Sequence, residues 1–133
     1  MRHVLVVEDD PHNAVLFRKI LEKRAGFRVS VCEDAAEILR MVRSGEVDFV
    51  IMDISLGNTT LDGRPVSGID LCRLLKSDPR SAGVPVMLAT AHAMRGDAER
   101  LLGDSGANDY VSKPILDHVE FANLVCKFFE DAA

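Results

Sequence analysis

Five side chains that could do chemistry stand where apolar runs of the chain end. They offer carboxylate, hydroxyl and ammonium groups: Glu8, Asp9, Asp53, Thr90 and Lys113. If the runs are parallel strands, their carboxyl ends meet at one edge of a sheet, where open α/β sheets bind ligands. The spacing therefore predicts that these five groups converge on one crevice.

Three of these groups, the carboxylates of Glu8, Asp9 and Asp53, would crowd negative charge into a small volume. A hard dication relieves such crowding, and Mg²⁺ binds through a few carboxylates together with waters and a phosphate oxygen. The next acid, Asp10, is explained by helix capping, because a proline follows it. The sequence thus predicts a magnesium site; the alternative is a solvated turn between a strand and a helix.

Asp53 is the candidate nucleophile, because a carboxylate can attack phosphorus and form an aspartyl phosphate. Lys113 would pair with the phosphoryl oxygens or with the carboxylate, and Thr90 would hydrogen-bond one phosphoryl oxygen. In-line phosphoryl transfer needs mainly positioning and charge neutralisation, which this set supplies. Taken singly, each residue has an ordinary structural explanation as a turn, surface or strand-end residue.

The elements that must position these groups alternate along the chain. Five apolar runs indicate strands: "HVLVVE" at the start, "FRVSVC" (27–32), "FVIM" (49–52), "VMLA" (86–89) and "YV" (110–111). Between and after them, apolar residues recur at helical spacing, which predicts five helices. Continuous apolar runs are typical of strands covered on both faces. The pattern predicts a single α/β domain, residues 1–133, built on a parallel sheet.

Helix boundaries carry separate signals. Capping residues, alone, before a proline or in a capping-box pattern, predict four helix starts: Asp10-Pro11, Asp34-x-x-Glu37, Ser67 and Asp117-x-x-Glu120. Gly26 and Gly103 stand near expected helix ends, where a left-handed residue is often required. The segment "ISLGNTTLDGRPV" (54–66) is too long for an ordinary strand-to-helix connection, so we expect an extended loop there.

Composition limits the classes of function. The 133 residues are enough for one domain with a core. The net charge is −5, whereas a nucleic-acid binder is expected to carry a basic surface. No apolar run has membrane-spanning length, and the start is unlike a secretion signal. We therefore expect a cytoplasmic protein without membrane insertion or direct nucleic-acid contact. The 3 cysteines are widely spaced and form no metal-ligand pattern.

Four segments, taken in order, resemble a known family. "VLVVEDDP", "FVIMD", "PVMLATA" and "DYVSKP" are similar to the motifs of the response-regulator receiver domain of two-component signalling. The resemblance covers essentially the whole chain, and the order of the four motifs makes it specific. It implies a flavodoxin-like (βα)5 fold, a doubly wound parallel five-stranded sheet with strand order 2-1-3-4-5.

The resemblance also implies roles at the predicted site. Asp53 would be the phosphoacceptor, Thr90 the switch hydroxyl and Lys113 the family's active-site lysine. The metal, Mg²⁺ or Mn²⁺, would be held by three carboxylates and one backbone carbonyl: Glu8, Asp9, Asp53 and the carbonyl of Ser55.

Further roles are implied for residues around this set. Tyr110 would be the switch aromatic that turns inward with Thr90; without the family, a half-buried sheet tyrosine is the simpler explanation. Ser55 and His92 occupy positions that tune the phosphoryl lifetime. Lys113-Pro114 would form a cis peptide, which proline makes accessible.

One region departs from the family pattern. Members usually carry Met-Pro soon after the phosphoacceptor, whereas this chain has Leu56-Gly57 and then a longer loop before "SGIDLCRLL". Either Asp62-Gly63 or Ser67-Gly68 could occupy the family's usual Asp-Gly place. We expect residues 56–66 to adjust partner choice or access to the acceptor; the alternative is a tolerated surface insertion.

The sequence therefore predicts a stand-alone phosphoacceptor receiver domain of a two-component or phosphorelay system. A sensor histidine kinase or histidine phosphotransfer protein would donate the phosphoryl group, and the switched surface would bind a downstream protein target. Such a domain promotes only its own phosphorylation and dephosphorylation and is no enzyme for an external substrate. Only one helix and a short tail follow Asp117, so no output domain is expected.

Three alternatives belong to other classes. A small Mg²⁺-dependent phosphatase with an aspartyl nucleophile commonly needs a second aspartate two residues on, where this chain has Ser55. A receiver-like interaction module that is not phosphorylated usually loses the acids or the lysine, and this chain keeps both. A flavin carrier would need a phosphate-cradling loop and more aromatic residues.

Overall fold

The computed structural model describes residues 2–57, 59–91, 97–113 and 115–131. Within these ranges the strands are β1 (His3–Val7), β2 (Arg28–Val31), β3 (Phe49–Asp53), β4 (Thr60–Leu61), β5 (Arg64–Pro65), β6 (Val86–Thr90) and β7 (Asp109–Ser112). The helices are α1 (Pro11–Ala25), α2 (Ala35–Arg43), α3 (Gly68–Ser77), α4 (Asp97–Ser105) and α5 (His118–Asp131).

Five strands form one sheet in the order β2-β1-β3-β6-β7, and every neighbouring pair is parallel. Counted among these five, the order is 2-1-3-4-5, so the predicted flavodoxin-like fold is confirmed. The two remaining strands, β4 and β5, pair antiparallel as a separate hairpin inside the segment expected to be a loop. None of the helices in the described ranges combines the length and apolar character that a bilayer crossing requires.

Helices cover both faces of the sheet, as the continuous apolar runs predict. Alternate strand residues face opposite layers. On one face, α1 and α5 bury Phe17 and Phe121 against β1, β3 and β6. On the other face, α2 and α3 bury Ile38 and Leu71 against the alternate residues of the same strands. The three central strands are therefore fixed from both sides, and their carboxyl ends present side chains at set positions.

Helix α1 and helix α3 begin as the sequence indicates. The Asp10 side chain accepts a hydrogen bond from the His12 N–H at 2.9 Å, with Pro11 in the first turn. At α3, Ser67 and Asp70 form a reciprocal capping box: the Asp70 N–H donates to the Ser67 hydroxyl at 3.2 Å, and the Ser67 N–H donates to the Asp70 carboxylate at 3.0 Å.

The other two start signals have different outcomes. Asp117 accepts a hydrogen bond from the Glu120 N–H at 2.9 Å ahead of α5, as predicted. Asp34 occupies the N-cap position of α2, but its side chain makes no capping hydrogen bond. Glu37, the other half of the expected box, pairs instead with Arg40 on the same helix. The boundary was therefore right and the capping box was wrong.

Both glycines lie near helix ends as predicted, but only Gly26 is the left-handed residue. Gly26 follows α1 with φ of 69°, a left-handed conformation that suits glycine. Gly103 lies inside α4, which continues to Ser105, and the left-handed residue is Gly106 with φ of 78°. Gly103 near the end of α4 and Gly106 just beyond α4 give the same sequence signal for a helix end.

The β4–β5 hairpin turns at Asp62-Gly63. Both residues have positive φ, 53° and 80°, as a two-residue type I′ turn requires. Helix α3 begins at Gly68 after its Ser67 cap. Asp62-Gly63 is thus the hairpin tip, and Ser67-Gly68 is the helix start, which settles the open choice between them.

Candidate metal centre

Three carboxylates meet at the carboxyl edge of the sheet. Glu8 follows β1, Asp9 comes next, and Asp53 is the last residue of the adjacent strand β3. One oxygen from each lies within 4.8 Å of the others. Glu8 and Asp53 are nearly inaccessible, at 4% and 2% exposure, whereas Asp9 is half-buried. The predicted convergence of these carboxylates is confirmed.

Lys113 lies just after β7 and reaches the same cluster. Its Nζ donates to Asp53 Oδ1 at 3.0 Å and to Glu8 Oε2 at 3.3 Å. All three side chains are largely buried, so water screens these interactions weakly. The ammonium therefore serves as the counter-charge of two buried carboxylates at once.

The charges of these groups are coupled. Burial raises the pKa of Glu8, the charge of Asp53 raises it further, and Lys113 opposes both. Burial alone would lower the pKa of Lys113, but its hydrogen bond to Asp53 and the charges of Asp53 and Glu8 raise that pKa above its ordinary value. The lysine is consequently held as an ammonium, and a second cation near Glu8 would favour its ionised form.

Backbone N–H groups orient the carboxylates. The Ser55 N–H donates to Asp53 Oδ1 at 3.1 Å, and the Asp10 N–H donates to Glu8 Oε1 at 3.3 Å. Because Asp53 Oδ1 already accepts from Lys113 and Ser55, the geometry favours its other oxygen for bonding to an incoming group. Ser55 thus contacts the acceptor through its N–H; the metal-ligand role of its carbonyl stays a prediction.

Thr90 ends β6, the strand beside β3, and is fully buried. Ala89 is the register partner of Asp53, so Thr90 follows one residue beyond it on the neighbouring strand. The Lys113 N–H donates to the Thr90 carbonyl at 2.8 Å, which ties the lysine to this strand end. The structure therefore brings Thr90 to the same edge as the acids and the lysine.

Tyr110 lies in β7 and is half-buried, packed against the layer of α2 and α3. Its predicted inward movement on switching stays a prediction. His92 and Pro114 fall outside the described residues, so the lifetime role of His92 and the Lys113-Pro114 cis peptide also stay predictions.

Two glycines contact the site and were not identified as functional from the sequence. The Gly57 N–H donates to Asp9 Oδ2 at 2.9 Å. Gly68, the first residue of α3, lies so close to β3 that a Cβ there would come within 1.9 Å of the Asp53 carbonyl oxygen. Gly57 belongs to the Leu56-Gly57 pair that stands in place of the family's Met-Pro. A hydrogen bond donated by a backbone N–H depends on no side chain, so no residue type in the sequence indicates it.

The donor set fits a hard divalent cation. Its three members offer only carboxylate oxygens, the ligands that Mg²⁺ and Mn²⁺ prefer. Two of them are buried and share one ammonium between them, so the cluster carries a net negative charge that a dication would offset. Glu8, Asp9 and Asp53 could therefore hold such an ion.

Comparison with known proteins agrees with this arrangement. A family model described as "Response regulator receiver domain" matches residues 4–125. Among curated proteins, the polar-differentiation response regulator DivK of Brucella anthropi is 35% identical over 114 residues, which cover 86% of this chain and 85% of that protein.

Solved structures are similar over nearly the whole chain. The receiver domain of the sensor histidine kinase PA1611 from Pseudomonas aeruginosa, which has a magnesium ion coordinated in its active-site cleft, is 27% identical with a TM-score of 0.77 and 95% coverage of both chains. The signal receiver domain of a signal transduction histidine kinase from Syntrophus aciditrophicus is 28% identical with a TM-score of 0.79, covering 98% of this chain and 92% of that one.

Proposed function

The chain belongs to the response regulator receiver domain family, and from this premise we propose that Asp53 is the residue that accepts the phosphoryl group. Receiver domains of two-component systems take part in signalling and are not enzymes in the ordinary sense. The observation that carries the proposal is the position of Asp53, which lies at the end of a central strand between two other carboxylates and a lysine.

The chemistry is an in-line displacement at phosphorus. A carboxylate oxygen of Asp53 forms a bond to the phosphorus of a phosphohistidine as the P–N bond breaks, and the imidazole leaves with the electron pair of that bond. Lys113 Nζ, held 3.0 Å from Asp53 Oδ1, neutralises charge on the acceptor and then on the phosphoryl oxygens. The Thr90 hydroxyl is the proposed donor to one of those oxygens.

Magnesium or manganese belongs to this proposal. Glu8, Asp9 and Asp53 would hold the ion, and the carbonyl of Ser55 would complete the protein ligands. When bound, the ion neutralises charge on the phosphoryl oxygens. Support comes from the oxygen-only donor set and from the magnesium ion in the cleft of the similar Pseudomonas aeruginosa domain.

The partners follow from the reaction. A sensor histidine kinase or a histidine phosphotransfer protein would supply the phosphoryl group, and a downstream protein would bind the switched surface. Thr90 and Tyr110 are the proposed switch pair, because new charge at Asp53 biases an existing equilibrium between two arrangements. Ser55 and His92 are the proposed determinants of how long the aspartyl phosphate lasts.

We further propose that residues 1–133 act as one receiver domain in the cytoplasm. The family match covers residues 4–125, and the helices on both faces of the five-stranded sheet support one cooperative unit. The domain would promote its own phosphorylation and dephosphorylation without turning over an external substrate.

Mass measurement of the intact chain tests the proposed acceptor. We expect incubation with Mg²⁺ and a small phosphodonor such as acetyl phosphate to add one phosphoryl group to the parent and none to Asp53→Asn. Asp48→Asn is the matched control, because it changes a distant aspartate that binds the His3 N–H. A phosphoryl group on Asp53→Asn, or none on the parent, would refute the assignment, and steady phosphate release from small esters would favour a phosphatase.

A further inference from the structure

We propose that the hairpin segment, defined as residues 57 and 59–66, is a positioning element for the metal ligand Asp9, acting through the backbone N–H of Gly57. The inference rests on the proposed function, because it assumes that Asp9 binds the divalent ion. The hairpin segment departs from the family pattern, and its role at the site would be to orient one carboxylate.

The contact itself is a direct hydrogen bond. Gly57 N–H donates to Asp9 Oδ2 at 2.9 Å, across 48 positions of sequence. In the part of the chain that the structure describes, Asp9 Oδ1 accepts no hydrogen bond, so this oxygen is the one free to meet a cation. A carboxylate held through one oxygen presents the other in a fixed direction, which is how outer-shell partners orient metal ligands.

The backbone at Gly57 lies close to the Asp9 carboxylate. A Cβ on Gly57 would meet Asp9 Oδ2 at 3.3 Å, tighter than ordinary van der Waals contact. The backbone of the segment therefore approaches the carboxylate closely. Asp9 is half-buried, whereas Glu8 and Asp53 are buried, so Asp9 is the cluster member that the core constrains least.

Thr59 fastens the segment to the body of the domain. Its side chain is 4% exposed, and its hydroxyl donates to the Glu33 carbonyl at 2.9 Å, just beyond β2. Its own carbonyl accepts the Val66 N–H at 3.0 Å, which closes the base of the hairpin. Thr59 thus ties the hairpin to the connection between β2 and α2 and closes the hairpin on itself.

The far side of the hairpin is fixed by packing. Leu61 is partly buried against the core layer of α2 and α3. The chain then enters α3 through Ser67 and Gly68, and the Gly68 N–H donates to the Ile54 carbonyl at 3.2 Å beside Asp53. The segment is therefore held at its base, at β4 and at its exit, so Gly57 is presented to Asp9 by a supported loop.

Magnesium binding to the full chain, measured by titration calorimetry, tests this role without relying on phosphorylation. Thr59→Val removes the hydroxyl anchor but does not touch Asp9, and Thr59→Ser keeps that hydroxyl. We expect Thr59→Val to weaken Mg²⁺ binding several-fold and Thr59→Ser to restore most of the affinity. Gly57→Pro removes the N–H donor, and we expect it to weaken binding by about 10-fold, the usual effect of losing an outer-shell partner. Gly57→Ala, which keeps the donor, should bind more tightly than Gly57→Pro.

Two further measurements distinguish a specific effect on the position of Asp9 from a general loss of stability. Saturating Mg²⁺ should return the rate of Asp53 phosphorylation in Thr59→Val to the parent rate, since only the metal affinity is altered. The Tm measured with a chelator should be the same for Thr59→Val and Gly57→Pro within a few degrees, although their affinities differ.

The outcomes distinguish a failure of the proposed function from a failure of the role assigned to the hairpin segment. A parent that binds no Mg²⁺ overturns the proposed function together with this inference. If the parent binds Mg²⁺ and the four variants match it, only the inference fails. If Gly57→Pro alone weakens binding, Gly57 is confirmed as a contact and the hairpin is rejected as its support.

Discussion

Asp53 and Glu8 are almost completely buried, and Lys113 lies between them as their shared counter-charge. Its ammonium lies 3.0 Å from one carboxylate and 3.3 Å from the other. Burying a charge without a partner is costly, so removing the lysine leaves two carboxylates in a poorly hydrated site. A divalent ion in the same cluster would supply the missing positive charge.

We therefore expect Lys113→Met to lower the free energy of unfolding without Mg²⁺ by about 3 kcal/mol, the usual cost of breaking a buried pair from one side. Added Mg²⁺ should stabilise this variant more than it stabilises the parent. Urea unfolding with Mg²⁺ and with a chelator measures both effects. Lys113→Arg, which keeps the positive charge, serves as the control. Equal stability of Lys113→Met and parent in chelator would contradict the assigned role.

At the level of elements, the start of α3 is seated directly on the end of β3. Gly68 has room for a hydrogen and no more, because a Cβ would come within 1.9 Å of the Asp53 carbonyl oxygen and 2.9 Å of the Ile54 Cα. Both contacts are to backbone atoms, which cannot move aside as a flexible side chain could. The helix start and the acceptor strand are therefore in direct backbone contact.

Gly68→Ala should force these two elements apart and lower the free energy of unfolding by about 2 kcal/mol or more, as overpacking does. We also expect it to slow the phosphorylation of Asp53, since the acceptor backbone must shift. Gly83→Ala is the matched control, because a Cβ at Gly83 meets nothing within 4 Å and its φ is not positive. Equal denaturant midpoints for the two variants would show that the close approach relaxes without cost.

The sequence predicts the large elements well because their signals are long. The central strands and the convergence of Glu8, Asp53 and Lys113 follow from apolar runs and from the polar residues at their ends. The β4–β5 hairpin was missed because each strand has only 2 residues, too few to show a period. The donation from Gly57 could not be predicted, since every residue but proline carries the same N–H.

At the level of the whole molecule, an ion-pair network joins elements on the face of α2 and α3. Asp78 follows α3. Its carboxylate lies 2.7 Å from Arg80 Nη2 and 3.1 Å from Nε of Arg43, the last residue of α2. Hydrogen bonds from the Arg80 side chain and N–H lower the pKa of Asp78 to about 2. The ionised form is thus favoured in the folded state.

The lowered pKa of Asp78 contributes to the free energy of unfolding, and this contribution depends on pH. Because the folded pKa is below the ordinary value of 3.8, the contribution is present above that pH and disappears as the pH falls toward about 2. We expect Asp78→Asn to lose less stability than the parent over this interval when unfolding is followed in urea at a series of pH values. Asp62→Asn, which removes an exposed carboxylate at the hairpin tip, is the matched control. Parallel curves for parent and Asp78→Asn would exclude the network as a source of acid sensitivity.

The division of the core into two layers also separates the aromatic residues. All 6 phenylalanines pack on the face of α1 and α5, the single tyrosine, Tyr110, packs on the other face, and the chain has no tryptophan. Tyrosine fluorescence therefore senses one side of the sheet, while phenylalanine ring resonances in NMR sense the other. A phosphorylation signal that crosses the sheet could be timed with these natural probes, without introducing a dye or an extra chromophore.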